Sequence, residues 1–348
     1  LVGAVESALY DRLEDAHTLT YHDDLVSIVN KKLRRPLAER AIGLALEEHA
    51  IVGSRAVGYQ TQGAEALERG IADRIRGMLA GETPMQQSIF APGADSLRLQ
   101  LTVEECESEL GFQLNDEQRR AVEMPLNHAF CLLTGGAGVG KTSVLHVIIR
   151  LADVMHLSVY QMALAGRAAK RMAEATGYEA MTIAKFLYNV RSQKLNLAAD
   201  SLVIVDESSM LDLPTLHRIL RQLPDGTRLM LVGDPAQLPP IGFGLVFHRM
   251  VGSDIVPQSH LLKTHRQAAA TGIPTAAEDV RAHTVPELKE FAGKSYGVSF
   301  IECPAAEVID VLQSVATAWQ SEEFQILAAT NDGPSGIRSI NRYFHGQA

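Results

Sequence analysis

The chain has 348 residues, enough for two or three domains with separate buried cores, and its 46% hydrophobic and 21% charged content is that of an ordinary globular protein. No apolar run approaches the roughly 18 to 20 residues that cross a bilayer, and the opening LVGAVESALYDRLEDAH lacks the basic start and cleavage site of a signal peptide, so no membrane association and a cytoplasmic location are expected. The net charge of -9 excludes a global basic field: residues 1–110 carry 11 basic and 18 acidic side chains and residues 111–348 carry 21 and 23, so any nucleic-acid contact must use a local patch.

In chain order, VESALYDRLEDA, DDLVSIVNKKL and PLAERAIGLALEEHA place apolar residues at helical spacing. Asp23 and Asp24 are positioned to cap the second helix, and Pro36 to enter the first turn of the third. IVGSRAVGYQ alternates like a small β-ribbon. Three helices and a ribbon over residues 1–62 suggest a mainly helical, winged-helix-like module. The other reading is an accessory domain that binds nothing, because Glu39, Glu47 and Glu48 would repel phosphate. Ala64–Ala80 reads as a helix that Gly81, Thr83 and Pro84 end, and the remainder of 63–110 as a connecting linker with little periodic signal. Cys106, Cys131 and Cys303 are odd in number, widely separated and without a CxxC pair, so neither disulfides nor a zinc or iron–sulfur site is suggested.

Beyond Gly111 apolar strands alternate with helices. The candidates are Phe130–Thr134, Ser158–Leu164, Leu202–Asp206, Arg228–Gly233, Val298–Glu302 and Phe324–Thr330. The fold class is α/β with parallel sheets and covering helices.

FCLLTGGAGVGKTSVLHVIIRL joins a buried strand to a helix through Gly135, Gly136, Ala137, Gly138, Val139, Gly140, Lys141, Thr142 and Ser143. Glycines permit a backbone path whose N–H groups face inward, toward phosphates that also meet the positive end of the following helix. Lys141 supplies a point charge to the same oxygens, and the Thr142 hydroxyl is placed to ligate Mg²⁺. Further on, SLVIVDESSM delivers Asp206 and Glu207 at the carboxyl end of a strand, where ligands of open α/β sheets sit. Asp206 can hold Mg²⁺, and Glu207 can orient and deprotonate an attacking water. RLMLVGDPAQLPPIGFG projects Gln237 from a loop stiffened by Pro235, Pro239 and Pro240, where an amide donor could sense the γ-phosphate of ATP.

LNDEQRRAVE, GGAGVGKTS, VDESSM, GDPAQLPPIGFG and THRQA, in that order, resemble the superfamily-one DNA helicases, most closely the RecD-like group, from about Leu114 onward. The resemblance implies a RecA-like P-loop NTPase motor domain over residues 111–257 and a partial second RecA-like domain over 258–348, in which the last two family motifs have no counterpart. It also implies that Gln118 recognises the adenine edge of ATP and that Arg266 reaches the γ-phosphate from across the cleft. MALAGRAAKRMAEATGYEAMTIAKFL resembles the segment that contacts single-stranded DNA, with Arg167, Lys170, Arg171 and Thr182 at helix starts suited to phosphate contacts. Ala163, Leu164 and Ala165 depart from the family pattern there, as do Ala184 and His265.

The expected function is therefore an ATP-dependent helicase that couples Mg·ATP hydrolysis to 5′→3′ movement on single-stranded DNA, or on a duplex with a 5′ single-stranded tail. Protein partners in a recombination or repair complex are part of that expectation. A kinase or transport ATPase is disfavoured by GDPAQLPP followed by THRQA. A nucleotide-switch subunit of a DNA-processing complex, or the helicase part of a conjugative relaxase, are the alternatives. The chain opens on Leu1 and stops soon after an apparent helix, so it reads as a piece of something longer.

Overall fold

The computed structural model describes residues 1–81, 97–136, 138–262, 272–293, 297–319 and 324–346. It divides into two compact units, Leu1–Lys263 and Thr264–Ala348.

The first unit begins with helices α1 (Val2–Glu14), α2 (His22–Leu33) and α3 (Ala38–Glu47), followed by an antiparallel ribbon of β1 (Ile51–Ser54) and β2 (Gly58–Thr61). Val5, Leu9, Leu25, Val29, Ile42, Ile51 and Tyr59 close a small core of their own. Asp23 and Asp24 do not cap α2. Tyr21 is its N-cap, and the two carboxylates lie inside the first turn, where they act through the helix dipole. Pro36 precedes α3, whose Ala38 N–H is satisfied by Asn30 Oδ1 at 2.9 Å.

The larger core is built on a six-stranded, wholly parallel sheet. Its strands are β3 (Phe130–Gly135), β4 (Ser158–Ala163), β5 (Ala180–Thr182), β6 (Ser201–Asp206), β7 (Arg228–Gly233) and β8 (Gln258–Leu261), in the order β5-β4-β6-β7-β3-β8. Strand alternation divides the apolar side chains between two faces. Cys131, Leu133, Leu202, Ile204, Met230 and Val232 meet α5 (Leu97–Leu110), α6 (Asp116–Asn127), α7 (Lys141–Val154) and α8 (Gly166–Thr176). Phe130, Leu132, Val203, Val205, Leu229 and Leu231 meet α4 (Gln62–Ala80), α9 (Ile183–Arg191), α10 (Leu213–Leu220) and α11 (Val246–Met250).

Residues 62–110 therefore hold more than a connection. α4 lies on one face, where Arg74 donates to Leu223 O at 2.7 Å and pairs with Asp225, and α5 lies on the other. α5 replaces an expected linker because Leu97, Leu99, Leu101 and Val103 alternate with period two, which hides the helical spacing of Leu99, Val103 and Cys106 that is buried.

In the second unit, α12 (Ile273–Arg281), α13 (Val308–Ala318) and α14 (Ile337–Gly346) accompany a two-residue parallel pairing of β9 (Lys289–Glu290) with β10 (Ser299–Phe300). The strand expected at Val298–Glu302 is reduced to β10, and Phe324–Thr330 forms none. Phe324 is 52% and Leu327 82% exposed, so among the described residues that segment has neither a ladder partner nor a covered face to hold it extended.

Gly233, at the end of β7, packs where a Cβ would stand 2.9 Å from Ser209 N and 3.0 Å from the Phe247 ring. Gly233→Ala is expected to destabilise the fold by about 1–3 kcal/mol through overpacking; urea unfolding of the two proteins measures it, and equal midpoints would contradict the packing described.

Candidate active site

β6, β7 and β3 are neighbours and parallel, so Asp206, Gly233 and Gly135 leave the sheet along one carboxyl edge despite their separation in sequence. This edge is where open α/β sheets bind ligands.

From Gly135 the chain turns into α7. Gly138 and Gly140 have φ of 75° and 90°, the left-handed region that glycine enters without a side-chain penalty. A Cβ on Gly135 would stand 2.6 Å from Val139 Cγ2 and 3.0 Å from Leu261 O, so the loop closes on its own buried Val139 and on β8. Lys141 folds back over it, Nζ donating to Gly135 O at 2.6 Å and Gly136 O at 2.8 Å. The ammonium thus sits beside the N-terminus of α7, where backbone N–H groups and the helix dipole favour an anion. Thr142 and Ser143 occupy the first turn, Thr142 exposed. Ala137 lies outside the described residues.

Asp206 ends β6, and its Oδ1 accepts the Glu207 N–H at 2.9 Å. Glu207 has φ 55°, a left-handed conformation that costs a non-glycine residue on the order of 1–3 kcal/mol, and a short 3₁₀ turn, Ser208–Met210, follows. Burial raises the Asp206 pKa, opposed by the Glu207 N–H and by Lys141. Glu207 is raised too, by burial first and then by Asp206, with Asp234 adding and Lys141 and Arg171 opposing. Asp206, Lys141, Asp234 and Arg171 therefore all act on Glu207 through space. Three carboxylates against two cations leave a net negative pocket, and the hard oxygen donors of Asp206 and Thr142 suit a magnesium-like ion.

Beyond β7, Asp234 is buried and organises the next loop: its Oδ1 accepts Ala236 N–H at 3.0 Å, its O accepts Gln237 N–H at 3.0 Å, and Gln237 Nε2 reaches its Oδ2 at 3.4 Å. Gln237 is held at the site edge by this arrangement. Asp234 is the residue that sequence reasoning left without a role; the signal was there in Gly233–Asp234–Pro235, an Asx-turn pattern.

Gln118 is 1% exposed and completes a capping box with Asn115, its Oε1 accepting Asn115 N–H at 3.1 Å and its own N–H donating to Asn115 Oδ1 at 3.0 Å. Arg167, Lys170 and Arg171 are exposed in the first turns of α8, with Lys170 3.7 Å from Glu174. Thr182 caps α9 by accepting Lys185 N–H at 3.2 Å. α8 and α9 start at the same sheet edge from opposite faces. Arg266 lies outside the described residues.

Away from this edge, Cys106, Glu109 and His146 each bring one potential ligand atom within 4.8 Å of the others. Arg150 stands 3.7 Å from the same Glu109, and burial pushes the Cys106 thiol up, so the group is already balanced as an ion pair beside a protonated thiol. Among the described residues no helix is long and apolar enough to cross a membrane.

A sheet edge arranged in this way is that of a P-loop nucleotide-binding domain with a RecA-like fold. Residues 113–299 match the family model described as AAA domain. The ATP-dependent RecD2 DNA helicase of Deinococcus radiodurans is 31% identical over 239 residues, 68% of this chain and 32% of that protein. The RecBCD enzyme subunit RecD of Mycobacterium tuberculosis is 29% identical over 274 residues, 65% of this chain and 48% of that protein. The crystal structure of Pif1 helicase from Candida albicans aligns over 52% of this chain and 50% of that one, at a TM-score of 0.38 and 22% identity. The chain belongs to the family described as AAA domain and is a superfamily-one, RecD-like member, and that membership carries nucleotide binding with it. It spans about a third to a half of the length of these two curated relatives.

The crowded carboxylates have a measurable cost. Asp206→Asn removes a charge that burial disfavours, so the variant is expected to melt a few degrees above the parent in metal-free buffer and to gain less than the parent from added Mg·nucleotide. Differential scanning fluorimetry with and without Mg·nucleotide reads both, and a variant that melts lower in metal-free buffer would contradict the charge balance described.

Proposed function

We propose that this chain is the ATP-driven motor of a DNA helicase, which couples Mg·ATP hydrolysis to 5′→3′ movement on single-stranded DNA. The observation that carries it is the convergence of Lys141, Asp206, Glu207 and Asp234 at one carboxyl edge, with Gln237 bound to Asp234. The printed names of the relatives, DNA helicases and a RecBCD subunit, supply the substrate class and the prospect of protein partners. The direction of movement rests on the RecD-like resemblance.

In this reading the turn shaped by Gly138 and Gly140 and the start of α7 hold the triphosphate, and Lys141 leaves the Gly135 and Gly136 carbonyls for phosphate oxygens. Thr142 and Asp206 would hold the magnesium ion, which neutralises charge on the β- and γ-phosphates when bound. Glu207, at the carboxyl end of β6 beside Asp206, accepts a proton from the attacking water. Gln237 senses the γ-phosphate from its Asp234-held loop. The RecD-like resemblance assigns the adenine edge to Gln118 and a γ-phosphate charge to Arg266. Arg167, Lys170, Arg171 and Thr182 hold the phosphates of the DNA strand without reading sequence.

Catalysis by positioning and electrostatics predicts a split between variants. Glu207→Gln should keep Mg·ATP affinity near the parent's and reduce kcat by roughly 10²-fold or more, whereas Lys141→Ala should lose binding and turnover together. Isothermal titration with ATP and a coupled ATPase assay separate the two, and unchanged hydrolysis in either variant would overturn the roles given. The function itself is tested by ATPase rates with and without single-stranded DNA. Stimulation is expected, and nucleotide binding without any DNA response would point to a nucleotide switch instead.

A further inference from the structure

Basic side chains are concentrated in sequence beyond Arg167, Lys170 and Arg171 of α8. Residues 164–199 hold six Lys or Arg against two Glu, in a chain with a net charge of -9. Within them, 182–199 contain Lys185, Arg191 and Lys194 and no acidic side chain. This stretch is α9 and the turn after it.

α9 is anchored by Ile183 and Phe186, both buried, and Phe186 makes an edge-to-face contact with Tyr160 at 6.3 Å. Two residues on, a rotation of about 200° turns Tyr188 to the opposite side of the helix, where it is 60% exposed. Lys185 and Arg191, three residues to either side of it, are exposed on the same stripe.

The chain then reverses through a left-handed Gln193, with Lys194 N–H bound to Asn189 O at 2.8 Å. This turn sets Lys194 Nζ 5.0 Å from the centre of the Tyr188 ring. An exposed aromatic ring with an ammonium held over it, between two further cations, combines the two elements of single-strand binding: a surface on which a base stacks and charge that tracks the backbone.

We propose that Tyr188, supported by Lys194, is a stacking platform for one base of a single-stranded nucleic acid, with Lys185, Arg191 and Lys194 meeting the flanking phosphates. The site lies about 9 Å along α9 from Thr182 at the 1.5 Å rise of a helix. The strand therefore runs from the carboxyl edge of the sheet down the outer side of α9. Stacking is indifferent to base identity, which suits a protein that must travel over any sequence. The inference rests on the motor reading above.

Fluorescence anisotropy of a labelled oligo-deoxythymidine with the full 348-residue chain tests it. Tyr188→Ala is expected to weaken binding by about 5- to 150-fold, the range that stacking of one base spans. Tyr188→Phe should bind like the parent, because the ring and not the hydroxyl makes the contact. Lys194→Ala should lower the slope of log affinity against log salt by about 0.7, as the loss of one single-strand phosphate contact does. An oligonucleotide carrying 5-bromodeoxyuridine should cross-link to the peptide that contains Tyr188. A parent that fails to bind DNA overturns this inference together with the motor reading. A parent that binds while Tyr188→Ala binds as tightly overturns this inference alone.

Discussion

The interaction on which the rest of the structure depends is the confinement of opposite charges at one sheet edge. Asp206 and Glu207 are drawn out of water by the strands that deliver them, and burial disfavours their charged forms. Lys141 offsets part of that penalty from the neighbouring loop, and the Glu207 N–H offsets more. Neither carboxylate is comfortable there. A site kept in this state gains most from a ligand that brings a divalent cation, so ligand affinity and local strain have the same origin.

The scaffold explains how such a site can be held. The central strands β3, β6 and β7 are buried on both faces, with α5 to α8 on one side and α4, α9, α10 and α11 on the other. The rigid layer fixes the edge, and the functional groups then need only short, strongly determined turns. Gly138 and Gly140 shape one, Glu207 in its left-handed conformation another, and buried Asp234 the third. Helices from residues 62–110 complete both covering layers, so the stability of the nucleotide site reaches well upstream of the phosphate loop.

How much of this could be read from residues follows their chemistry. The phosphate loop, the DE pair and the strands β3, β6 and β7 were legible because buried parallel strands are continuous apolar runs, and glycine, lysine and carboxylate patterns at their ends are local. β8 is not legible in the sequence: QSHL after Pro257 is polar except for Leu261, and its ladder with β3 is what identifies it. α5 was concealed by a period-two run of apolar residues. Phe324–Thr330 shows the converse, an apolar run that resembles a strand yet lacks a partner among the described residues. Asp23 and Asp24 resemble caps in sequence, because side chains inside a first turn and at its cap look alike there. Tyr188 carries no signal in sequence, because its exposure and the turn that lays Lys194 over it are tertiary facts.

The central claim is that the phosphate loop, the carboxylate pair and the amide of Gln237 serve one triphosphate. A crystal structure of this chain with Mg²⁺ and a non-hydrolysable ATP analogue tests it most directly. The account requires Lys141 Nζ to have left the Gly135 and Gly136 carbonyls for the terminal phosphates, with the metal between Thr142 and Asp206 and Glu207 facing the γ-phosphate. A nucleotide bound elsewhere, or one that leaves Lys141 on those carbonyls, would contradict it.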